Sequence, residues 1–221
     1  MHKNHKYFSM LVLTLVFMLI LLGCTTTKSE YSQLEEQLII QINWDADDYL
    51  ASVEDDSEDI ISLRSIYYGS FSDENSSELM ALFKVISPHI GGLDRTIAAI
   101  YDRDSLKIKS QKSFAADQVS VYLFSSASQK NNILFIGETT YQGVSNSQIE
   151  LYEIVQEKWV SKSVSDVNFE DNYSYAVTDK KLLHVFNTIY DNNMKPTDNY
   201  MMTLFWSEQE SKFVNSSLDN N

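Results

Sequence analysis

Between Ile60 and Asn215 apolar residues recur at every second position in short runs, and β-branched or aromatic side chains dominate those runs. That period belongs to strands, because successive strand side chains point to opposite faces of a sheet. It predicts strands at Ile60–Tyr68, Glu78–Ile86, Arg95–Asp102, Ser105–Ser113, Gln118–Phe124 and Asn132–Thr140. Six more are expected at Gln148–Val155, Lys158–Ser163, Tyr173–Val177, Leu182–Thr188, Tyr200–Trp206 and Lys212–Asn215. Turn-forming polar groups such as Asp102-Arg103-Asp104 and Gln156-Glu157 separate them. Twelve short strands without a long helix between them predict a mainly β fold of antiparallel meanders, either partly propeller-like or a sandwich. One short helix should precede it. Ser32-Gln33-Leu34-Glu35 fits a capping box, and Leu34, Leu38 and Ile42 follow at helical spacing over residues 32–42, although Leu38-Ile39-Ile40 would also suit a strand. Residues 32–221 are then expected to form a single mainly β domain.

Composition narrows the function. Apolar residues make up 43% of the 221-residue chain, enough for a core, so general disorder is excluded. Lysine and arginine total 17 against 31 acids, a net charge of −14, which argues against nucleic acid as a partner because phosphate backbones demand a basic face. The single cysteine excludes an internal disulfide and any cysteine-rich metal site. Acids concentrate between Asp45 and Asp59, where eight of fifteen positions are Asp or Glu. A solvated loop or helix face is the plain account of that run, and divalent cation binding the sharper one.

The N-terminus carries an address. Lys3 and Lys6 precede the apolar run Tyr7 to Gly23, which ends in Leu21-Leu22-Gly23-Cys24. A basic start followed by an apolar stretch and a small residue is the pattern of an export signal. The last four residues resemble the lipobox of bacterial lipoproteins. That resemblance implies cleavage between Gly23 and Cys24, a diacylglycerol on the Cys24 thiol, and a further acyl chain on its amine as an option. Residues 1–23 are then a signal peptide and residues 24–31 a lipidated cysteine with a polar tether. The body would be held at the outer face of the cell membrane by chains whose buried methylenes contribute roughly 0.8 kcal/mol each. An uncleaved anchor helix and a plain buried thiol are the alternatives. Removing residues 1–23 also removes Lys3 and Lys6, taking the charge from −14 to −16.

A weak internal repeat runs through the body. Tyr68-Gly69-Ser70-Phe71 leads into a polar acidic loop and then the strand that begins near Leu79. This resembles a degraded FG-GAP repeat of integrin-type β-propellers, in which the polar loop can hold calcium. Ser125 to Ile136 repeats the loop and strand, and Asp191 to Phe205 does so more loosely, with strand starts near Leu79, Ile133 and Met201. Asp73, Asn75, Ser77 and Glu78 are the weak candidates for calcium ligands, since hard oxygens on alternating positions suit that cation. The loop lacks the glycine and the third aspartate of calcium-binding versions, so a solvated turn is the expectation and no metal is assigned.

Catalytic patterns are missing. The segment after Cys24 keeps only His89 and His184, without H-E-x-x-H spacing, and it holds no G-x-S-x-G elbow, S-x-x-K pair or Walker loop. His89 is expected in a loop and His184 half-buried in a strand. Tyr67, Tyr68, Tyr141, Tyr152, Trp159, Tyr173, Tyr175, Tyr190, Tyr200 and Trp206 flank strands, where cross-strand aromatic packing is the default and a sugar- or peptide-binding platform the alternative. No catalytic residue and no cofactor beyond the covalent lipid is expected. The sequence therefore points to a lipid-anchored binding or assembly module of the bacterial envelope, with a protein or glycan partner. The alternative is a lipid-anchored hydrolase that cuts envelope polymers with carboxylates.

Overall fold

The computed structural model describes residues 30–43, 60–86, 95–116, 118–141, 144–167, 173–193 and 195–215. The chain divides into two compact units, Met1–Glu36 and Gln37–Asn221. The signal region, Cys24, the Asp45–Asp59 acidic run and His89 lie outside the described residues. None of the described helices is long and apolar enough to cross a membrane.

The protein is mainly β. Helix α1 (Glu30–Ile39) starts two residues before the expected position and ends three before it. Among the described residues twelve strands follow: β1 (Ile60–Gly69), β2 (Glu78–Ile86), β3 (Arg95–Asp102), β4 (Ile108–Phe114), β5 (Gln118–Ser125), β6 (Asn131–Tyr141), β7 (Val144–Val155), β8 (Lys158–Lys162), β9 (Tyr173–Val177), β10 (Leu182–Tyr190), β11 (Pro196–Ser207) and β12 (Lys212–Val214). They form three four-stranded antiparallel meanders in chain order, β1–β4, β5–β8 and β9–β12. No crossover connects neighbouring strands, and none of the three sheets closes on itself.

The meanders pack face to face. Met80, Leu82, Ala98, Ile100 and Phe114 of the first sheet meet Val121, Ile133, Phe135, Tyr152 and Ile154 of the second. The opposite face of the second sheet, through Phe124, Leu134, Ile136 and Leu151, meets Leu183, Val185, Leu204, Trp206 and Phe213 of the third. Strand β6 shows why the middle sheet must be covered twice. Its run Ile133-Leu134-Phe135-Ile136 is buried at all four positions and alternates between the two cores. Aromatic rings fill both: Phe114 stacks on Phe135 with centroids 4.2 Å apart, and Phe124 stacks on Trp206 at 4.8 Å.

The far face of the first sheet is buried as well, at Leu79, Ala81, Phe83, Val85, Ile97, Ala99 and Tyr101. Leu38 is wholly buried there, and its carbonyl accepts a 3.0 Å hydrogen bond from the Tyr101 hydroxyl. Beyond α1, Gln41 Nε2 donates to the Leu106 carbonyl while its Oε1 accepts from the Ile108 amide, and Asn43 and Gln111 exchange a similar pair. Gln41 thereby satisfies the backbone at the start of edge strand β4, and Asn43 engages the Gln111 side chain farther along it.

Strand boundaries shift where polarity hides the ladder. Strand β4 begins at Ile108 rather than Ser105, because Ser105 donates its amide and hydroxyl to Asp102 Oδ1 in a tight turn and Leu106 adopts φ 53°. Strand β7 begins four residues before the expected Gln148, and β11 four before Tyr200. Apart from Val144 and Pro196 at their starts, both extensions are built from polar residues paired through their backbones, Thr139↔Asn146 and Thr188↔Asp198 among them. The third repeat unit is also displaced. Leu79 and Ile133 lie in the second strands of their meanders, but Met201 lies in the third strand of its own; the second strand there is β10. Measured at Leu79, Ile133 and Leu183, the spacing is 54 and then 50 residues, instead of 54 and 68.

The β7–β8 hairpin closes on Gln156 and Glu157, both left-handed at φ 50° and 61°. A two-residue loop with two positive φ values is a type I′ turn, for which Asn-Gly is favoured. Gln156→Asn with Glu157→Gly should therefore stabilise the protein by about 1 kcal/mol. A rise in the urea midpoint at unchanged slope is the expected result; a fall would mean that the two side chains contribute more than the strain costs.

Candidate functional site

The loop that joins β1 to β2 is organised around one carboxylate. Gly69 permits the entry, since a Cβ there would lie 2.5 Å from Asn131 Oδ1, the atom that accepts from the Ser70 amide. Phe71 then plugs the first core without exposure. Glu78, at the head of β2, points inward with a fully buried side chain. Its Oε2 accepts from the Phe71 amide (2.7 Å), the Ser72 amide (2.8 Å) and the Ser76 hydroxyl (2.7 Å). Its Oε1 pairs with Lys109 Nζ at 2.7 Å. Burial alone would raise its pKa, but the Lys109 ammonium and the loop donors outweigh it and hold Glu78 at about 2.

This arrangement bears directly on the calcium candidates. Asp73, Asn75 and Ser77 are exposed at the outer turn, with Asn75 at φ 59°, while Glu78 is directed into the protein. The four residues do not converge. Among the described residues no group of three or more His, Cys, Asp or Glu side chains could hold a metal ion. The cation in this loop is the ammonium of Lys109, a residue that sequence reading did not single out. The available signal was an acid heading an otherwise apolar strand, Glu78-Leu79-Met80-Ala81-Leu82, which cannot stay buried without a partner.

A second feature lies between the first and second sheets, where their shared core runs out. An outer hollow of about 360 Å³ is lined by Arg64, Lys84, Thr96, Gln118 and Val119, among others. An inner hollow of about 140 Å³ is lined by Lys112, Phe114, Ala116, Val119, Phe135 and Glu150, with Gly137 beside them. Val119 borders both. Arg64 occupies the β-bulge at which the register of β1 against β2 slips, between Leu63 and Ser65. Lys112 lies over two rings, 5.0 Å from the centre of Tyr152 and 5.5 Å from that of Phe114. The Tyr152 hydroxyl donates to Glu150 Oε1 at 3.0 Å; burial first, and then the Glu150 charge, keep this phenol protonated well beyond its ordinary range.

The third sheet presents its outer face to solvent. His184 is half-buried in β10, as expected, and its Nδ1 lies 2.7 Å from Thr203 Oγ1, which Tyr200 approaches at 3.0 Å. Phe186 and Tyr200 pack edge to face, and Tyr200 and Phe205 remain 59% and 39% exposed. Most of the other aromatics serve packing. Tyr67, Tyr152 and Trp159 belong to the first core, Tyr173, Tyr175 and Trp206 to the second, and the Trp206 Nε1 donates to the Ser125 carbonyl. Tyr68 is exposed beneath the Arg103 guanidinium, and Tyr190 is exposed at the end of β10. The Tyr141 side chain lies outside the described residues.

Two outcomes follow from the Glu78 loop. The folded pKa lies below the ordinary value, so the stabilisation is complete above about pH 5 and is lost as pH falls through 4.5 towards 2. It amounts to about 3 kcal/mol at neutral pH. Urea titrations at pH 7 should show Glu78→Gln well below the parent, with the gap nearly closed at about pH 2.5; a gap that ignores pH would refute the assignment. Millimolar calcium should move the thermal midpoint by about 1 °C or less, and a rise of several degrees that Asp73→Ala removes would establish a metal loop. Compared with known proteins, the chain matches no family, no characterised relative and no solved structure.

Proposed function

We propose that this chain is a lipoprotein anchored at the extracytoplasmic face of the cell membrane, with a body that acts as a non-catalytic binding or assembly module of the envelope. The observation that carries the reading is Leu21-Leu22-Gly23-Cys24 at the end of an apolar run behind Lys3 and Lys6. The body supports binding over hydrolysis through its electrostatics. A glycosidase acid needs a carboxyl group with raised pKa opposite a second carboxylate. The two described carboxylates with shifted acidity, Glu78 and Asp102, are both shifted downward, Glu78 by the Lys109 ammonium and the donors of its loop and Asp102 by the donors of Ser105. The partly exposed aromatic face of the third sheet and the cleft between the first two sheets offer binding surfaces instead.

Cys24→Ser should abolish incorporation of labelled fatty acid and leave the precursor uncut or released from the membrane. Label that persists in the variant would overturn the anchor. The purified protein should release no soluble fragments from isolated envelope polymer. Release that disappears on changing an acid to its amide would favour the hydrolase.

A further inference from the structure

We propose that the cleft between the first and second sheets binds a small anion whose phosphate or carboxylate head carries one ring-sized apolar group. The inference extends the binding reading of the body and does not depend on the lipid anchor. Four observations converge on it.

The first is charge. In a chain of net charge −14, Arg64 and Lys112 line this cleft, and among its described lining residues Glu150 is the one acid. Among the described residues neither Arg64 nor Lys112 has a carboxylate within ion-pair distance. Lys109, Lys130 and Lys212, by contrast with Arg64 and Lys112, each pair with an acid, in Lys109–Glu78, Lys130–Glu153 and Lys212–Asp166. An anion approaching an acidic protein is repelled except where local cations reverse the field, so such a cluster is selective as well as attractive.

The second is the bulge. An extra residue in β1 falls between the Leu63↔Phe83 and Ser65↔Leu82 pairs, and that residue is Arg64. A bulge re-aims a side chain that a regular strand would send elsewhere, and bulges cluster beside functional sites. Here it brings Arg64 into the lining of the outer hollow, with Thr96 and Gln118 among the other lining residues. A planar fork of donors suits two oxygens of one phosphate or carboxylate.

The third is shape. The outer hollow, at about 360 Å³, has the volume of a small-molecule site. The inner hollow, at about 140 Å³, matches the roughly 150 Å³ cavity that accepts benzene. Gly137 and Ala116 keep it open: a Cβ on Gly137 would already lie 3.2 Å from the Ala116 Cβ. That size admits one ring and excludes an acyl chain.

The fourth is the lining. Phe114, Phe135 and Val119 supply apolar surface in the inner hollow, while Lys112 and Glu150 offer opposite charges there. The head group therefore belongs with Arg64 in the outer hollow, and the ring belongs past Val119.

Isothermal titration calorimetry on the full chain in detergent, at low salt, tests this with phenyl phosphate, benzoate, inorganic phosphate and phenol as probes. Phenyl phosphate or benzoate should bind saturably at millimolar concentration or below, and the tighter of the two identifies the head group. Phenol should bind about tenfold more weakly or not at all. Arg64→Gln, an exposed change, should weaken the anionic probes about tenfold or more. Lys180→Gln, the same charge loss in the third sheet's β9–β10 turn, should change them less than about twofold. Gly137→Ala should weaken phenyl phosphate while sparing inorganic phosphate. No saturable heat from either aryl anion, or equal losses in Arg64→Gln and Lys180→Gln, would overturn the site. Fatty-acid labelling of Cys24 reads separately, so this proposal and the anchor can fail independently.

Discussion

Because Ile133, Leu134, Phe135 and Ile136 send side chains alternately to two cores, the second sheet cannot exist with a solvent face. Everything else in the stack follows from that double burial. The first and third sheets each supply an apolar face to it, through Leu82 and Ile100 on one side and Leu183 and Leu204 on the other. Among the described strands each ladder runs within one meander, so the contacts that unite the three are side-chain contacts plus a few backbone bonds such as Asn131 to Ser70, Ala127 to Glu208 and the bridge between Ser165 and Phe213. The hydrophobic effect, which is non-directional, assembles the layers, and the directional bonds fix how they meet.

The fold was largely legible because strand side chains alternate with period two wherever one face is apolar. That signal located all twelve described strands. It failed at Val144–Ser147 and Pro196–Asn199, where polar residues continue the ladder and only backbone pairing marks the strand. It also failed to place the third repeat unit, since Met201 and Leu183 both head apolar runs and hydropathy does not reveal strand order. The site was far less legible. Arg64, Lys84 and Lys112 lie on three strands and meet only through register, and the bulge that exposes Arg64 has no signature in Leu63-Arg64-Ser65.

Glu78 illustrates a compromise between two demands on one loop. The chain must turn sharply after β1 while keeping Phe71 in the core, which leaves the Phe71 and Ser72 amides buried and in need of acceptors. A carboxylate meets that need well, but its charge must then be balanced, and Lys109 on β4 balances it. The loop is thereby tied to a strand two positions away in the sheet order.

The head-to-tail order of the three meanders has a kinetic meaning. Every strand pairs with its immediate neighbour in sequence, so the loops closed on the way to the native ladder are short, and each hairpin can form from residues already close together. Long-range ordering is needed only when whole layers meet. The middle meander takes part in both of those meetings, which makes it the natural seed of the assembly. A change confined to β6 then bears on the rate of folding, whereas a change on the open face of β10 and β11 bears mainly on how long the finished protein lasts.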